Sequence, residues 1–375
     1  MVRKIIFKSA LIFASLLLLA VGVLWLRWGG GASYPGLETA PLFDTTALEI
    51  VYDAAEPPGN VTVSATGRIF LTIHPESRSR GPKVVEIVDG KAHPYPNLEF
   101  QKEYHTPLGV FIDTRNRFWV LDHGNHGIRS AQLFAFDLDS DSLVYRHVFN
   151  QREAPTGSYL NDLQVAADME TVIISDLSVL RQRPALVVLD LAMDQARRLL
   201  ECDSTTRAQD WNIQTFTLQG KLASLRLGVD GLVLDQAEKW LYYGAVCHES
   251  LYRVTVRDLT DQALPPDDLR ERVEWVSKKP LSDGLSIDQA DQVILTDIEH
   301  HGLMRLDKNG VLQTLIEAPG QVRWADGCSF GPNGYLYFTD SALPDIMLRS
   351  RHHIRKKGPY FLYRLKMDVP GTPGR

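Results

Sequence analysis

Residues 283–297 read DGLSIDQADQVILTD, and this phrase decides the fold because it recurs along the chain. Each copy opens on a small or acidic residue and continues with an alternating apolar strand, a turn, a second apolar strand and a final Asp or His. Six copies start at residues 60, 108, 161, 230, 283 and 326. The spacing of roughly 50 residues is typical of the four-stranded blades of a propeller. The sequence therefore predicts an all-β fold, a six-bladed β-propeller.

Further apolar strands follow each of the six hairpins, as expected for blades of four strands. The last of them, near Phe361, follows the sixth hairpin, so a strand between about residues 47 and 52 is expected to pair with a late blade and close the ring. Closure removes the exposed edges that favour aggregation. The predicted organisation is a linker over 29–46, the propeller over 47–368 and a short tail over 369–375.

The N-terminus is strongly apolar. Residues 9–26 carry no charge, and a run of this length approaches the length that spans a bilayer. The sequence predicts one hydrophobic helix over residues 1–28, either an uncleaved membrane anchor or a signal sequence with Gly30 and Ala32 as the small residues of a cleavage site. Basic residues precede the run, so the propeller is expected outside the cytoplasm, anchored in the periplasm or at the cell surface, or secreted if cleaved.

Charge and motifs exclude several function classes. The formal net charge is −6, and it becomes −10 when the four basic residues that flank the apolar run are set aside. An acidic body argues against nucleic acid as a partner. No nucleophile elbow, P-loop, dinucleotide fingerprint or CxxC occurs, so nucleophilic serine or cysteine catalysis has no support. Cys202, Cys247 and Cys328 form no disulfide framework, although one pair among the three stays open.

Two segments interrupt the repeat. Residues 201–227 lengthen the spacing between the third and fourth copies, and part of this insertion could form a short helix that caps one face. Residues 347–358, MLRSRHHIRKKG, form the basic cluster of the body. This cluster either contacts lipid headgroups or an anionic ligand, or is a solvated loop.

Propeller geometry brings polar residues to one axis, because the innermost strand of a blade lines the central channel and each hairpin returns to the face where it began. The residues that open the copies are Asn60, Leu108, Gly109, Asn161, Asp162, Asp230, Asp283 and Asp326. The residues at the returning ends include His74, Asp122, His123, Asp176, His248, Asp297, His300, His301 and Asp340. Convergent carboxylates repel one another unless a cation compensates, and Asp and Asn oxygens suit Ca²⁺.

Simpler interpretations exist for the same residues. Asp before Gly is also ordinary turn chemistry, so the repeated Asp could merely cap the start of each strand. The pairs His123-x-x-His126 and His300-His301 hint at a transition metal, but no spacing matches a zinc site. Histidines at the rim that bond to the backbone are the alternative.

Several phrases carry a family resemblance in their order and spacing. They are FWVLDHG from Phe118, SYLNDLQVAADMETVIISD from Ser158, DGLVLDQAEKWLYYGAV from Asp230 and ADGCSFGPNGYLYFTDS from Ala325. With them the chain resembles the Yellow/major royal jelly protein family, in its bacterial branch, over about residues 51–366. This resemblance implies a six-bladed propeller that is generally exported, in a family whose members include binders of small ligands.

A more distant likeness is to the gluconolactonase/senescence-marker group, calcium-dependent lactonases on the same type of propeller. In that group a Glu, two Asn and an Asp surround the metal. The likeness implies Asn161, Asp230 and Asp283 as ligands of a possible Ca²⁺ cofactor, with Asp230 in place of an Asn. The first-blade phrase that carries the Glu is missing, and Gly59 with Asn60 occupies its place.

Three functions follow as hypotheses. The first is a propeller that binds a small polar or aromatic ligand in a central pocket. The residues expected in that pocket are Asn60, His123, Asp162, His300 and Trp324. The second is a Ca²⁺-dependent hydrolase of lactones or esters, with Asp283 or Asp326 as the catalytic base. The third is a protein-interaction platform that uses the insertion or the basic segment.

Overall fold

Six antiparallel sheets of four strands build the protein, whose computed structural model describes residues 2–168, 170–216 and 224–375. From the inner to the outer strand, blade 1 contains Pro58–Val63, Ile69–Ile73, Val84–Val88 and Lys91–Pro94. Blade 2 contains, in the same order, Pro107–Ile112, Arg117–Asp122, Gln132–Asp137 and Ser142–Val148. Blade 3 contains Leu160–Val165, Thr171–Asp176, Ala185–Asp190 and Gln195–Leu199. Blade 4 contains Val229–Leu234, Trp240–Ala245, Ser250–Thr255 and Glu274–Lys278, and blade 5 contains Leu285–Ile287, Val293–Asp297, Gly302–Leu306 and Leu312–Glu317. Blade 6 combines Ala325–Phe330, Tyr335–Asp340 and Tyr360–Lys366 with the N-terminal strand Leu48–Ala54. The prediction of a six-bladed β-propeller is confirmed.

The ring closes through a strand from the other end of the chain. Leu48–Ala54 pairs antiparallel with Tyr360–Lys366 and becomes the outer strand of blade 6. Each inner strand contacts the next in circular order, and the sixth contacts the first. The closing strand predicted near residues 47–52 is therefore present.

The apolar core lies between neighbouring blades rather than within one of them. Phe70 of blade 1 stacks on Phe118 of blade 2 with ring centroids 4.4 Å apart, and both side chains are fully buried. Burying such a side chain contributes roughly 1.5–3 kcal/mol, and a single blade has no second sheet to bury it against. The alternating strands in the sequence thus become faces that only the ring can cover.

Helical segments in the described residues are short apart from the first. They are the α-helices Val2–Trp28, Val256–Thr260, Pro266–Glu271, Leu343–Ile346 and Arg351–Lys357, a left-handed turn at Gly124–Gly127, and 3₁₀ turns at Thr45–Ala47, Pro75–Ser77, Phe100–Lys102 and Pro332–Gly334. The basic segment is a helix rather than a loop, since Ser350 Oγ caps it by accepting from the His353 N–H at 3.2 Å and Ile354 is buried.

The insertion over 201–227 is only partly described, because residues 217–223 lie outside the described residues. Its described parts contain no helix and instead include the short strand Trp211–Asn212. Three free cysteines agree with the absence of a disulfide framework.

The segment over 29–46 lies against the propeller, although its glycines favour a flexible spacer. Ala32–Ser33 pairs in parallel with Trp211–Asn212, and the Tyr34 hydroxyl donates to the Lys279 carbonyl at 2.9 Å. Further along, the Thr39 N–H donates to Thr314 Oγ1 at 2.8 Å. The segment therefore crosses from blade 4 over blade 5 before it joins blade 6.

The C-terminal segment closes one end of the central channel. The Phe330 N–H donates to the Arg375 carbonyl at 2.6 Å, and Ser286 Oγ donates to the same oxygen at 3.1 Å. Thr62 Oγ1 donates to the Gly374 carbonyl at 3.1 Å, and the Arg375 guanidinium pairs with Glu238. The segment thus ties blades 1, 4, 5 and 6 together.

Deleting residues 372–375 is expected to lower the melting temperature of the protein by about 5 °C. The deletion removes about four buried hydrogen bonds, each contributing roughly 1 kcal/mol, and in a chain of 375 residues each kcal/mol shifts the melting temperature by roughly 1–1.5 °C. Thermal unfolding followed by circular dichroism measures the change. Asp368→Ala, which alters a half-exposed residue just before the segment, is the control and should change little. An unchanged melting temperature in the deletion variant would show that the segment does not hold the blades.

Candidate functional site

A shared irregularity of the inner strands builds the candidate site. In five blades the pairing of the inner strand with its neighbour shifts register near its start, which marks a β-bulge. The bulged residue pairs are Gly59-Asn60, Leu108-Gly109, Asn161-Asp162, Asp230-Gly231 and Asp326-Gly327, and Asp283-Gly284 precedes the short inner strand of blade 5. The first residues of these pairs, apart from Gly59, line one cavity, and the side chains of Asn60 and Asp162 line another below it.

Glycine follows Asp in three of these pairs because neighbouring inner strands approach each other closely there. A Cβ on Gly284 would lie 2.2 Å from the backbone oxygen of Asp326, and a Cβ on Gly231 would lie 2.6 Å from that of Asp283. Neither glycine has a positive φ. Space rather than turn conformation therefore requires glycine, so the ordinary turn interpretation of Asp-Gly does not apply here.

The first cavity, the upper pocket, opens on the face at which the inner strands begin, which we call the upper face. Its acidic floor and apolar walls are formed by His74, Glu76, Leu108, His126, Tyr159, Asn161, Leu177, Val179, Leu227, Asp230, Asp283, Asp326, Leu343 and Met347. The space left for water is about 50 Å³, enough for a few water molecules or one ion.

Three side chains on the floor of the upper pocket bond to one another. Asn161 Nδ2 donates to Asp230 Oδ1 at 2.7 Å, and the Asp230 and Asp283 carboxyl groups lie within hydrogen-bonding range. Asn161 Oδ1 and Asp230 Oδ2 are buried and have no hydrogen-bond partner among the described residues. Unpaired buried acceptors are costly, so these two oxygens mark a place for a donor or a cation.

The electrostatics of the pocket follow from burial of like charges. Burial and the neighbouring carboxylates of Asp283 and Asp162 raise the pKa of both Asp230 and Asp326 well above the usual range. Burial also raises the pKa of Asp283, although hydrogen bonds from its neighbours oppose the shift. The site therefore favours protonated carboxyl groups or a bound positive charge at neutral pH.

A histidine turn forms the opposite wall of the upper pocket. Four consecutive residues of Gly124–Gly127 have positive φ, including Asn125 at 53° and His126 at 56°. His126 Nε2 lies 3.3 Å from Glu76 Oε1, and this contact lowers the pKa of Glu76. Non-glycine residues in this conformation are strained, so the contacts around the turn must hold Asn125 and His126 in it.

His74 and Tyr159 complete this wall. His74 Nε2 lies 4.0 Å from Asp326 Oδ2, and burial lowers the pKa of His74 to about 4, so its imidazole is neutral at physiological pH. The Tyr159 ring lies between the pocket and the histidine turn, with its centroid 4.8 Å from that of His126. The wall thus offers a neutral imidazole from His74, the phenol of Tyr159 and the hydrogen-bonded side chains of Glu76 and His126.

A second cavity, the lower chamber, lies deeper in the channel and is bounded by Asn60, Asp162, Gln164, Cys328, Gly374 and Arg375 among others. Asn60 Nδ2 donates to Asp162 Oδ1 at 2.8 Å. Burial, with the Asp283 charge above, raises the pKa of Asp162 to about 7. The chamber is small, with about 20 Å³ open to water.

The carboxylates at the returning ends of the hairpins have a structural role, because they accept hydrogen bonds from the backbone. Asp122 accepts from the Thr106 N–H at 2.9 Å, Asp176 from the Tyr159 N–H at 2.7 Å and Asp340 from the Trp324 N–H at 2.9 Å. Each thereby fixes the segment that leads into an inner strand. The Asp residues that hold the start of the inner strands are therefore those at the returning ends of the hairpins, not those that open the copies.

The structure brings most of the predicted site residues together. Asn161, Asp230, Asp283 and Asp326 line the upper pocket, whereas Asn60 and Asp162 line the lower chamber. Trp324 is fully buried behind the pocket, where its Nε1 donates to Asp283 Oδ2 at 2.6 Å. It therefore orients a floor carboxylate rather than lining the cavity.

The predicted histidines lie further out. His123 is buried and stacks on Tyr159 with ring centroids 4.0 Å apart, so it supports the wall from behind. His300 lies outside both cavities, 2.9 Å from Asp297 and 3.6 Å from Glu38, and the bond to Asp297 raises its pKa to about 9. The sequence interpretation missed Glu76 as a lining residue. The two glycines of HGNHG, which frame His126, were a usable signal for the turn.

Comparison with known proteins identifies the family. A model of the major royal jelly protein family matches residues 106–315, more than half of the chain. Major royal jelly protein 8 of Apis mellifera is 25% identical over 216 residues, which make up 51% of this chain and 50% of that protein. Major royal jelly protein 3 of Apis mellifera is 25% identical over 274 residues, 66% of this chain and 48% of that protein. The chain thus spans about half the length of the curated relatives it matches.

Solved structures share the fold at low identity. A gluconolactonase from Xanthomonas campestris superimposes with a TM-score of 0.54 at 17% identity, covering 86% of this chain and 89% of that one. Regucalcin from Agrobacterium tumefaciens, described as a calcium-binding protein, gives a TM-score of 0.55 at 12% identity and covers 87% and 98%. At such identities the likeness shows the fold alone. The family match and the six-bladed ring together show that this chain belongs to the major royal jelly protein family.

Proposed function

We propose that this protein is an exported, membrane-tethered propeller that binds a small polar ligand in the upper pocket. One observation carries the proposal: Asn161 Oδ1 and Asp230 Oδ2 are buried beside further carboxylates and lack a partner in the described part of the chain. A ligand that supplies hydrogen-bond donors or a positive charge would satisfy both oxygens and offset the repulsion between the carboxylates.

The walls of the upper pocket limit the shape of that ligand. Leu177, Val179, Leu227 and Met347 face the space above the acidic floor and favour an apolar or aromatic portion. Because only about 50 Å³ is open to water, a ligand of more than a few atoms must displace a side chain. Met347 is the most adaptable of these, since methionine is unbranched and flexible.

The N-terminal helix supports the tether. Ile6–Trp28 has a mean hydropathy of 2.5 in its most apolar window, and no part of that window is buried against the propeller. An apolar helix of 23 residues whose most apolar window is not buried is suited to the bilayer core. The basic residues before it favour a propeller outside the cytoplasm.

A second candidate function is Ca²⁺-dependent hydrolysis of lactones or related esters. The oxygen donors of Asn161, Asp230 and Asp283 suit a hard cation, and the two unpartnered oxygens belong to this set. Two features weigh against it. Gly59 supplies no carboxylate in blade 1, and no group of three or more His, Cys, Asp or Glu in the described residues has the arrangement of a metal site.

In this second candidate the three floor residues would hold the ion, which when bound polarises a carbonyl and lowers the pKa of water. The chain itself contributes positioning and proton transfer. Trp324 orients Asp283, and Asp326 beside neutral His74 is placed to accept a proton once a bound cation offsets the burial and like charges that raise its pKa. The apolar walls exclude bulk water from the floor.

The hydrolase candidate predicts that calcium raises the melting temperature of the chelator-treated full-length protein in detergent and that Asp283→Ala abolishes that rise. A ligand that binds only the native state at one hundred times its dissociation constant stabilises it by roughly 2.7 kcal/mol. Asp53→Ala, at an exposed carboxylate outside the pocket, should keep the full response. A retained response in Asp283→Ala would place the ion elsewhere.

The same assay separates the two candidates. If calcium and chelator both leave the wild-type melting temperature unchanged, the hydrolase candidate is wrong. Small ammonium compounds compared with their neutral alcohol analogues then test the first candidate. Stabilisation by the ammonium compounds only is the expected result, and equal responses to both sets would contradict recognition by the acidic floor.

A further inference from the structure

The N-terminal helix is attached to the face on which the upper pocket opens. The Arg27 guanidinium donates to the Leu180 carbonyl at 3.1 Å, and the Trp28 carbonyl accepts from the Ser224 N–H. Arg226 donates to the Gly29 carbonyl at 2.8 Å. Leu177, Val179 and Leu227, the neighbours of these anchoring residues, line the pocket. The helix end and the pocket mouth therefore share the same two loops.

Little chain separates the helix from the propeller. Three residues lie between the last helical residue, Trp28, and the strand Ala32–Ser33 that pairs with Trp211–Asn212. Fully extended, three or four residues span only about 10–14 Å. A helix of 23 residues is about 34 Å long and matches the roughly 30 Å core of a bilayer. When this helix spans a membrane, the short connection therefore keeps the upper face close to the membrane surface.

The upper face also has the chemistry of a surface that contacts membrane. The helix Arg351–Lys357 lies there, next to Met347 of the pocket, and its Arg355 and Lys356 are exposed and form no ion pair among the described residues. Leu348, 91% exposed, and Leu180, 50% exposed, stand out from the same face. Basic and apolar side chains side by side favour anionic lipid surfaces. This basic and apolar surface differs from the protein as a whole, whose net charge is negative.

Other charges on this face are already paired. Arg351 is bonded to Glu56 at 2.6 Å through Nη1, and Lys357 lies 3.3 Å from Asp345. These pairs fix the basic helix to the propeller rather than neutralise its outer side. Arg355 and Lys356 thus remain to meet headgroup phosphates.

We propose that the upper face is seated on the anionic headgroup surface of the bilayer that holds the helix, so that ligand reaches the pocket from the membrane–water interface. The proposal rests on the tether of the proposed function and adds the orientation of the propeller and the route of the ligand. A protein held by its opposite face would present the pocket to bulk solvent instead.

Lipid-quenching of site-specific fluorophores tests the orientation. The full chain is reconstituted in vesicles of phosphatidylcholine and phosphatidylglycerol that contain a headgroup-nitroxide lipid. One variant carries a fluorophore at Leu348→Cys on the upper face, and the matched control carries it at Asn309→Cys, an exposed site on the opposite face. The wild type treated with the same reagent gives the background from native cysteines. Strong quenching at position 348 with little at 309 is expected, and equal or reversed quenching would overturn the proposal.

A second arm tests the charge. The double change Arg355→Glu and Lys356→Glu in the Leu348→Cys background is compared in vesicles with and without phosphatidylglycerol. Each basic residue near an anionic surface strengthens association about fivefold, so the anionic lipid should increase quenching in the parent and not in the double variant. Quenching that does not depend on phosphatidylglycerol in either the parent or the double variant would overturn the headgroup contact.

The outcomes separate the orientation from the tether. Labelled protein that floats with the vesicles but is not quenched at position 348 overturns the orientation alone. Protein that stays out of the vesicles, or whose intact mass from the producing cell lacks the N-terminal helix, overturns the tether and the orientation with it. Neither result affects the ligand test in detergent.

Discussion

Replacing Asp230 by Asn is expected to raise the stability of the ligand-free protein and, in the same variant, to abolish binding of a cationic ligand in the upper pocket. Asp230 is only 1% exposed and shares its surroundings with Asp283 and Asp162. Ionising it at neutral pH costs free energy because burial and two like charges oppose the negative form. The amide has the same shape, can still accept from Asn161 Nδ2 and carries no charge.

The expected gain is about 1–3 kcal/mol in the free energy of unfolding, the usual scale for relieving one unfavourable buried group. Thermal unfolding of the full chain in chelator and detergent measures it. Asp53→Asn, which neutralises an exposed carboxylate, is the matched control and should leave the melting temperature unchanged. A loss of stability in Asp230→Asn would mean that the carboxylate is already paired in the free protein.

The advantage of the Asp230→Asn variant should depend on pH in a defined direction. The pKa of Asp230 is raised in the folded protein, whereas an unfolded Asp titrates near 3.9. Below that value both states are protonated and the two proteins should be equally stable. As pH rises above about 4 the unfolded wild type ionises first, so wild-type stability falls and the difference grows. The same sign is expected for Asp162, whose pKa is raised to about 7.

Opposite effects on stability and binding would identify the carboxylates as functional. A structural carboxylate such as Asp176 or Asp340 accepts backbone N–H groups, so its loss should destabilise the protein. Asp230 instead accepts from the Asn161 side chain at Oδ1, and its Oδ2 has no partner among the described residues. A buried charge without compensation inside the protein is retained where a bound partner supplies the missing interaction. By this criterion the Asp residues that open the copies are functional, and those at the returning ends are structural.

The ring could be predicted from the sequence because its signals are local. Each hairpin carries its own alternation and turn, as in residues 283–297, and the count of copies sets the number of blades. Closure could also be anticipated, since three blade-6 strands after residue 326 leave the fourth to the N-terminus. The convergence of Asn161, Asp230 and Asp283 followed from the same geometry.

Features that depend on contacts between distant segments could not be predicted. The left-handed turn of the previous blade packs against Tyr159, with His123 stacked on its ring and His126 edge-on to it, and no period in the sequence indicates that contact. His300 looked equivalent to the other returning residues, yet Asp297 and Glu38 hold it outward. Likewise, the tail over 369–375 has no strand pattern and is ordered only by the channel it fills.

Replacing Gly284 by Ala is expected to destabilise the protein by about 3 kcal/mol, at the upper end of the usual cost of overpacking. The added Cβ would lie 2.2 Å from the Asp326 backbone oxygen, a contact with rigid backbone rather than with a movable side chain. Blades 5 and 6 must therefore separate at the channel. Chemical denaturation of the full chain in detergent measures the loss.

Two glycine controls isolate the cause. The Cβ of Gly81→Ala would lie an ordinary 3.6 Å from Ser79 Oγ, so this variant should be neutral. Gly310→Ala has open space around the added Cβ but a φ of 80°, so it tests backbone strain alone. Because Asp283 precedes Gly284 and is held by Trp324 at 2.6 Å, separation of the blades should also weaken ligand stabilisation of the variant. If Gly284→Ala were no more destabilising than Gly310→Ala, close approach of the inner strands would not be the reason that Gly follows Asp, and the turn interpretation would regain its place.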